Sequence, residues 1–190
     1  MARSQTTPTS PRIKPLTPPY ADNIQANFDT IMPSGMAPLN IFRTVGHNSR
    51  VLQRMVNGGL LDKGSITVSD RELIILRTCG LCGAEYEWGV HAAIFADEAG
   101  ISQAQIADTT AATSNLSLWS PQQQLLITLS EQLHNTNRVE DTLWKKLQTH
   151  YQAEQLIELV MVAGLYHAVS FMVNACQITP ESFAPTFPSA

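Results

Sequence analysis

The sequence predicts an all-α fold with roughly six to eight helices, and three observations support this prediction. No segment alternates apolar and polar residues with the period of two that marks a half-buried strand. Apolar residues recur instead at spacings of three and four, as on one face of a helix. Four segments begin with a capping signature, in which an N-cap side chain and a side chain three residues later satisfy each other's free N–H groups. These signatures are Ser69–Glu72, Ser102–Gln105, Ser120–Gln123 and Asn137–Glu140.

The predicted helices lie between two proline-rich arms. Residues 1–19 hold five of the eleven prolines, starting at Pro8, and this predicts an extended or disordered arm because proline cannot donate a backbone hydrogen bond. Helical spacing begins at residues 20–32 and resumes after Pro38. A polar connection is expected at 109–118, and a long apolar helix from Ala153 to Gln177. Residues 179–190 are predicted to form a second arm, so the helical domain is expected at 20–178.

The composition excludes several classes of partner. Charged residues make up only 15% of the chain, where roughly a quarter is usual, so we expect part of the surface to be buried in a homo-oligomer. The cationic side chains are scattered and the net charge is −4, which argues against a nucleic-acid partner. The N-terminus has no apolar signal segment, and three cysteines cannot form a disulfide framework, which favours the cytoplasm. The most apolar stretch, residues 159–173, is shorter than the roughly 20 residues of a membrane span, so we expect no membrane partner.

The segment from Glu72 to His91 carries the most information about function. On one continuous helix these two residues would be about 28 Å apart. The stretch Gly80–Gly83 lies midway between them, and each glycine costs a helix interior about 1 kcal/mol. A helical hairpin at this point would bring Glu72 and His91 to the same height on adjacent helices. Glu87 is one turn before His91 and shares its face, so we predict a pocket that contains Glu72, Glu87 and His91.

Each of these three residues also has a structural interpretation. Glu72 is the last residue of a capping signature, which alone explains a glutamate there. His91 lies in an apolar run, where a histidine is often a hydrogen-bonded core residue. Glu87 lies near a helix start, where the helix dipole favours carboxylates. No single residue therefore establishes a site.

Three weaker candidates for substrate binding lie in the same segment. The Arg77 side chain could reach an anionic substrate, although a surface arginine is the ordinary outcome. Tyr86 and Trp88 could provide flat surfaces for a ligand, although aromatic residues at such positions are more often packing residues.

Cys79 and Cys82 form a Cys-x-x-Cys sequence with three interpretations. A thiol at the start of the following helix would have a lowered pKa and could act as a redox nucleophile. Zinc would need two further ligands, and the sequence has no second Cys-x-x-Cys and no His-x-x-x-His; we therefore expect neither a metal nor another cofactor. The structural alternative is a tight helix corner packed by two small residues. His134 is expected at the surface, and His167 as a hydrogen-bonded core residue.

Over roughly residues 20–178 the sequence resembles the carboxymuconolactone decarboxylase and AhpD-like alkylhydroperoxidase superfamily. The AhpD-like pattern is a glutamate, eleven residues, Cys-x-x-Cys, three residues and a histidine. Glu72 and His91 match its two ends, whereas Ala84 and Glu87 occupy the two cysteine positions. Neither redox thiol of that pattern is present, so the resemblance is to the branch that lacks the cysteine pair.

The resemblance implies an AhpD-like helical bundle that assembles as a dimer, trimer or hexamer, and acid–base chemistry on a small carboxylated lactone or cyclic acid. In that chemistry His91 would be the general acid or base, Glu72 its orienting or proton-exchanging partner and Glu87 a pocket carboxylate. Two alternatives stay open. One is a peroxide-reducing oxidoreductase that uses Cys79 and Cys82, and the other is a helical oligomer without catalytic activity.

Overall fold

The computed structural model describes residues 10–188, and every regular element in that range is helical. The elements are α1 (Asp22–Ile31), α2 (Asn40–Val45), α3 (Ser49–Asn57), α4 (Val68–Leu81), α5 (Glu85–Ile94), α6 (Gln103–Asp108), a 3₁₀-helix (Leu116–Leu118), α7 (Pro121–Thr136), α8 (Asp141–Leu147) and α9 (Ala153–Cys176). The all-α prediction is confirmed. The described range contains nine α-helices, more than expected, partly because the segment after Pro38 divides into α2 and α3.

Two of the four predicted capping signatures are present. Ser102 and Ser120 each form a full capping box, at the starts of α6 and α7. The signature at Ser69–Glu72 was wrong, because Thr67 caps α4 by accepting a hydrogen bond from the Asp70 N–H. Glu72 therefore lies inside the helix, and capping does not account for its position.

The fourth signature, at Asn137, was also wrong. Asn137 ends α7 in the left-handed conformation, with φ of 57°. The next helix, α8, begins after Glu140, which makes no side-chain capping hydrogen bond. Asparagine tolerates the left-handed conformation, so the same residue type serves a helix end here instead of a helix start.

Helix α4 is the centre of the fold. It contacts α5, α7 and α9, and every residue from Asp70 to Cys79 is buried. The apolar run Leu73–Leu76 has no solvent-facing side because neighbouring helices surround it. Burying each of these side chains stabilises the fold by roughly 1.5–3 kcal/mol. Functional side chains on α4 are consequently held in a rigid, dry environment.

The predicted helical hairpin forms at the glycine-containing break. Helix α4 ends at Leu81 and α5 begins at Glu85, and the turn residue Gly83 has φ of +62°. Gly80 lies inside α4 and does not make the turn. A Cβ at Gly80 would collide with the Thr109 carbonyl oxygen. A glycine at this position therefore allows the 109–111 segment to lie close against α4. Only one of the two glycines therefore breaks the helix.

Helix α9 has one face in the core and one apolar face that the other residues in the range 10–188 leave uncovered. Ile157, Met161 and Phe171 are 65%, 56% and 68% exposed. By length and composition alone α9 could cross a membrane, and 44% of its most apolar window is buried inside the protein. The predicted bounds of this helix, Ala153 to Gln177, are confirmed to within one residue.

The described parts of both arms lie against the helical domain. In the N-terminal arm the Arg12 N–H donates to the Cys176 carbonyl, and Leu16 pairs with Arg43 of α2. In the C-terminal arm the Phe187 N–H donates to the Glu85 carboxylate at the start of α5. Residues 1–9, including Pro8, and residues 189–190 lie outside the described range.

Candidate acid–base site

The hairpin of α4 and α5 brings Glu72 and His91 into direct contact. The distance from Nδ1 of His91 to Oε2 of Glu72 is 2.7 Å. The Glu72 side chain is 0% exposed and that of His91 2%. The predicted pairing of these two residues is confirmed. A carboxylate that accepts the Nδ1 proton fixes the orientation of the ring and leaves Nε2 as the atom that can exchange a proton.

The second oxygen of Glu72 is held by a cation. The Arg71 Nε donates to Oε1 of Glu72 at 2.8 Å, and the same guanidinium donates to the Leu61 carbonyl at 2.8 Å. The guanidinium also lies 5.6 Å from the centre of the Phe95 ring, a favourable cation–π distance. Both oxygens of the buried carboxylate are therefore satisfied by partners that favour its charged form.

A tyrosine and a second carboxylate face the other side of the imidazole. The Tyr166 hydroxyl is 3.0 Å from Nε2 of His91, and Oε1 of Glu87 is 3.5 Å from the same nitrogen. The second oxygen of Glu87, Oε2, is buried and has no hydrogen-bond partner among the described residues. An unpaired carboxylate oxygen in a buried position is costly, so it marks a place where a water molecule or a ligand group can donate a hydrogen bond.

These surroundings hold the proton on His91. Burial by itself would lower the pKa of His91, but the negative charge of Glu72 and hydrogen bonds to Glu72 and Glu87 raise it to about 9. At neutral pH both ring nitrogens therefore carry a proton. Burial raises the pKa of Tyr166 well above its ordinary value, and the charges of Glu87 and Glu72 add to this effect. Tyr166 consequently remains a neutral phenol beside a charged imidazolium.

Arg77 lies in a separate group of contacts. Its guanidinium donates to the Thr109 carbonyl at 3.1 Å and to the Ala111 carbonyl at 2.7 Å, and it forms an ion pair with Glu131. It is only 1% exposed, so it is neither a surface residue nor directed towards His91. These contacts join α4 to α7 and to the 109–111 segment, and they do not favour the predicted role in substrate binding.

Tyr86 and Trp88 are also engaged in contacts within the fold. The Tyr86 hydroxyl accepts a hydrogen bond from the Ile41 N–H at 3.1 Å and donates to Glu181 at 2.6 Å. The Trp88 Nε1 donates to the Thr109 hydroxyl at 2.9 Å. Their roles in substrate binding stay predictions, and the packing interpretation accounts for every one of these contacts.

The two cysteines of the Cys-x-x-Cys sequence have different environments. Cys79 is fully buried, and burial, together with the charge of Glu87, raises the pKa of its thiol well above its ordinary value. Such a thiol remains protonated and is a poor nucleophile. Cys82 is partly exposed, and its sulfur lies 3.7 Å from Nδ1 of His134. His134 was expected at the surface, and it is partly exposed because it also contacts His167.

Sequence reasoning missed two residues of the site. Arg71 directly precedes Glu72, and nothing in its spacing distinguishes it from a solvent-exposed arginine on a helix. Tyr166 had a detectable signal, because it lies three or four residues from Val162, Ala163 and Val169 and thus on the buried face of α9. Its contact with His91 depends on how α9 crosses α5, which the sequence pattern does not specify.

A groove lies elsewhere on the molecule. It has a volume of about 240 Å³ and is lined by residues of α1 and of the 32–38 segment, including Phe28 and Met36. None of Glu72, Glu87 or His91 lines this groove. Glu87 is the most exposed of these three residues, with 10% of its side chain reached by solvent. Among these three residues, solvent therefore reaches the site mainly at Glu87.

Comparisons with known proteins identify a similar family and similar folds. Residues 49–129, which include Glu72, Glu87 and His91, match the model of the carboxymuconolactone decarboxylase family. Two similar solved structures are an uncharacterized peroxidase-related protein from Silicibacter sp. TM1040 and another from Ralstonia eutropha JMP134, described as an alkylhydroperoxidase AhpD core. Each has a TM-score of 0.75 and 15% sequence identity, with coverage of 93% and 90% of this chain and of 95% and 93% of the other.

A third similar structure is that of a variant of the debrominase Bmp8 in complex with 2,3,4-tribromopyrrole. Its TM-score is 0.68 and its identity 15%, and the alignment covers 92% of this chain and 94% of that one. Likeness at this level of identity shows the fold, which is AhpD-like. No curated protein is similar enough in sequence to count as a match.

Proposed function

We propose that this chain, in which residues 49–129 match the carboxymuconolactone decarboxylase family, is an enzyme that performs acid–base chemistry on a small carboxylated lactone or cyclic acid. The observation that carries this proposal is the buried arrangement of Glu72, His91 and Glu87 around one proton-exchanging nitrogen. Similar arrangements of carboxylates around one imidazole are found where enzymes move protons, because neighbouring charges adjust the proton affinity of the ring.

Decarboxylation needs a proton donor of this kind. When the C–C bond to the departing carboxylate breaks, its electron pair remains on the substrate as an enolate or dienolate, and carbon dioxide leaves. The Nε2–H of His91 would then transfer its proton to the substrate carbon. The carboxylate of Glu72 keeps the ring oriented throughout. Proton transfer by a positioned residue typically contributes about 10²–10⁴-fold to the rate.

Glu87 is suited to returning the proton. Its Oε1 lies 3.5 Å from Nε2, and its buried Oε2 has no protein partner among the described residues. A water molecule that donates to Oε2 would connect the imidazole to solvent on the side where Glu87 is exposed. The substrate would enter at Glu87, since Glu72 and His91 are themselves almost completely buried.

The test is the substitution His91→Gln, with His150→Gln as the matched control because His150 is an exposed histidine. The assay measures release of carbon dioxide from carboxymuconolactone, and incorporation of solvent deuterium at the product carbon. We expect kcat to fall about 100-fold or more in His91→Gln, and to be unchanged in His150→Gln. Full activity in His91→Gln, with a native circular dichroism spectrum, would contradict the acid–base role. No turnover by the wild-type protein would contradict the assignment of carboxymuconolactone as substrate.

A peroxide-reducing function is the second candidate, and the position of Cys82 favours it. Its partly exposed sulfur lies 3.7 Å from an imidazole nitrogen that could act as a general base for the thiol. In this reaction the thiolate attacks a peroxide oxygen, an alcohol leaves, and a second thiol reduces the sulfenic acid that forms. The buried Cys79 is poorly placed as that second thiol, so an external dithiol would be needed. Unchanged turnover of tert-butyl hydroperoxide in Cys79→Ser/Cys82→Ser would remove this candidate.

A further inference from the structure

Three helices bring a thiol and two imidazoles together at a point away from the acid–base site. Cys82 follows the last residue of α4, His134 is in the last turn of α7, and His167 is in the middle of α9. Nδ1 of His134 lies 3.7 Å from the sulfur of Cys82 and 3.1 Å from Nε2 of His167. All three of these atoms lie within 4.8 Å of one another. We call this group the Cys82–His134–His167 cluster.

Two of the three distances between donor atoms in the cluster match the ligand spacing around a tetrahedral metal ion, and the third is at most 4.8 Å. Zinc binds imidazole nitrogen at about 2.0–2.1 Å and thiolate sulfur at about 2.3 Å. A tetrahedral arrangement with these bond lengths separates two nitrogens by about 3.3 Å, and a nitrogen from a sulfur by about 3.5 Å. The distances of 3.1 Å and 3.7 Å differ from these values by about 0.2 Å. A metal ion could therefore bind with little movement of the side chains.

Neighbouring groups orient two of the three ligands. Nδ1 of His167 donates to the Ala163 carbonyl, one turn earlier in α9, at 2.8 Å. That hydrogen bond places the proton on Nδ1 and leaves the lone pair of Nε2 directed at the cluster, as in most histidine ligands of metals. The Asn174 side chain donates to the Cys82 carbonyl at 3.0 Å, which fixes the position of Cys82 relative to α9.

The surroundings of the cluster leave room for a fourth ligand. All three side chains are partly exposed, so a metal ion can enter and a water molecule can complete the tetrahedron. Arg77, the nearby cation, is paired with Glu131, which is one turn before His134 on α7. Sulfur and nitrogen donors favour zinc and related transition metals, whereas magnesium and calcium prefer oxygen.

From this geometry we propose that Cys82, His134 and His167 form a binding site for a zinc-type transition-metal ion, with three protein ligands and one position open to solvent. The site is separate from the Glu72–His91–Glu87 site, and the proposal does not rest on the proposed function. Sequence reasoning rejected a metal because it considered only ligand spacings along the chain, whereas these three ligands are 52 and 33 residues apart.

The test is a titration of the full-length, chelator-treated protein with Zn²⁺ and with Co²⁺, in the presence of a phosphine reductant that keeps Cys82 reduced. We expect one equivalent of Zn²⁺ per chain by calorimetry. Co²⁺ should produce a tetrahedral visible spectrum and a thiolate-to-cobalt charge-transfer band. The charge-transfer band reports coordination by a thiolate directly, and no measurement of activity is needed.

The cluster variants Cys82→Ser and His134→Ala should each bind Zn²⁺ about 100-fold more weakly or worse, because losing a ligand is at least as damaging as losing a residue that only orients one. The control variants Cys176→Ser and His150→Ala remove a thiol and an imidazole outside the cluster, and they should bind Zn²⁺ as the wild type does.

Thermal unfolding without metal shows whether each variant is folded. Absence of binding at about 100 µM Zn²⁺, an affinity weaker than roughly 5 kcal/mol, would overturn the proposal. Undiminished binding in folded Cys82→Ser and His134→Ala would also overturn it.

Discussion

The acid–base site and the Cys82–His134–His167 cluster use the same scaffold in different ways. Glu72 is in the N-terminal half of α4 and Cys82 directly follows the helix, and Tyr166 and His167 are adjacent residues of α9. Adjacent residues on a helix point about 100° apart, so one turn of α9 supplies a side chain to each region. The acid–base site is almost completely buried, whereas the cluster is partly exposed. Two chemically different groups therefore form within one helical framework.

The two regions show how neighbours determine the chemistry of an imidazole. His91 has carboxylates on both sides, and their charges raise its pKa to about 9 against the effect of burial. His134 has another imidazole beside it, and burial together with the charges of His167 and Arg77 lowers its pKa. An imidazole among carboxylates holds its proton, whereas an imidazole among neutral and cationic groups has a lone pair available near neutral pH.

The largest effect that separates the two regions is expected from Glu72→Gln. This change leaves Arg71 and the His91 imidazolium without their shared buried counter-charge, and breaking a buried ion pair costs roughly 3–5 kcal/mol. Urea unfolding should show a loss of about 3 kcal/mol in the free energy of unfolding. Glu98→Gln is the matched control, because Glu98 is exposed, and its effect should be within about 0.5 kcal/mol. A loss below about 1 kcal/mol in Glu72→Gln would show that the ion pairs do not stabilise this region.

The stability of the protein should also depend on pH, in a direction that follows from the raised pKa of His91. The pKa of His91 is about 9 in the folded protein, whereas the pKa of an unperturbed histidine is 6.5. Below pH 6.5 both the folded and the unfolded state bind the proton, and the stabilising contribution of His91 is complete. Between 6.5 and 9 only the folded state retains it, so the stability contributed by His91 decreases as the pH rises.

We expect this decrease to be on the order of 3 kcal/mol in the wild-type protein. The measurement is urea unfolding at closely spaced pH values up to 9, compared with His91→Gln, in which the slope should be smaller. The comparison is necessary because His167, whose pKa is raised mainly by a hydrogen bond to Cys82, contributes in the same direction. Equal slopes in the two proteins would show that His91 does not hold an extra proton in the folded state.

The acid–base site could be predicted from the sequence because its central residues are close together along the chain. The distance from Glu72 to His91 depends on a single helical hairpin, and Gly83 marks the turn. Both Gly80 and Gly83 were predicted to form the turn. Only Gly83 has a left-handed backbone, whereas the missing side chain of Gly80 leaves space for the Thr109 carbonyl. The bounds of α9 were likewise predictable from local periodicity.

Contacts between distant helices could not be predicted in this way. Tyr166 reaches His91 across 75 residues, and His134 reaches Cys82 across 52. These contacts depend on the angles at which α7 and α9 cross α4 and α5, and many packings are compatible with the same apolar stripes. His134 was expected at the surface because its neighbours along the chain are polar, whereas its environment is determined by α9.

The smallest expected effect on stability comes from substituting Gly83, in the turn between α4 and α5. Gly83 has φ of +62°, and a Cβ at this position would meet no atom within 4 Å, so a substitution strains only the backbone. Gly83→Ala should therefore cost about 1 kcal/mol in thermal or urea unfolding, and Gly83→Asn less, because asparagine tolerates the left-handed conformation. Gly164→Ala is the matched control. Gly164 lies inside α9, and a Cβ there would meet no atom within 4 Å. The substitution should therefore stabilise the protein by roughly 0.5–1 kcal/mol.

Since the turn precedes α5 and follows Cys82, Gly83→Ala should lower the stability of the wild-type protein and of His91→Gln equally. A cost above about 3 kcal/mol in the wild type alone would show that the turn acts through the acid–base site and not through the backbone.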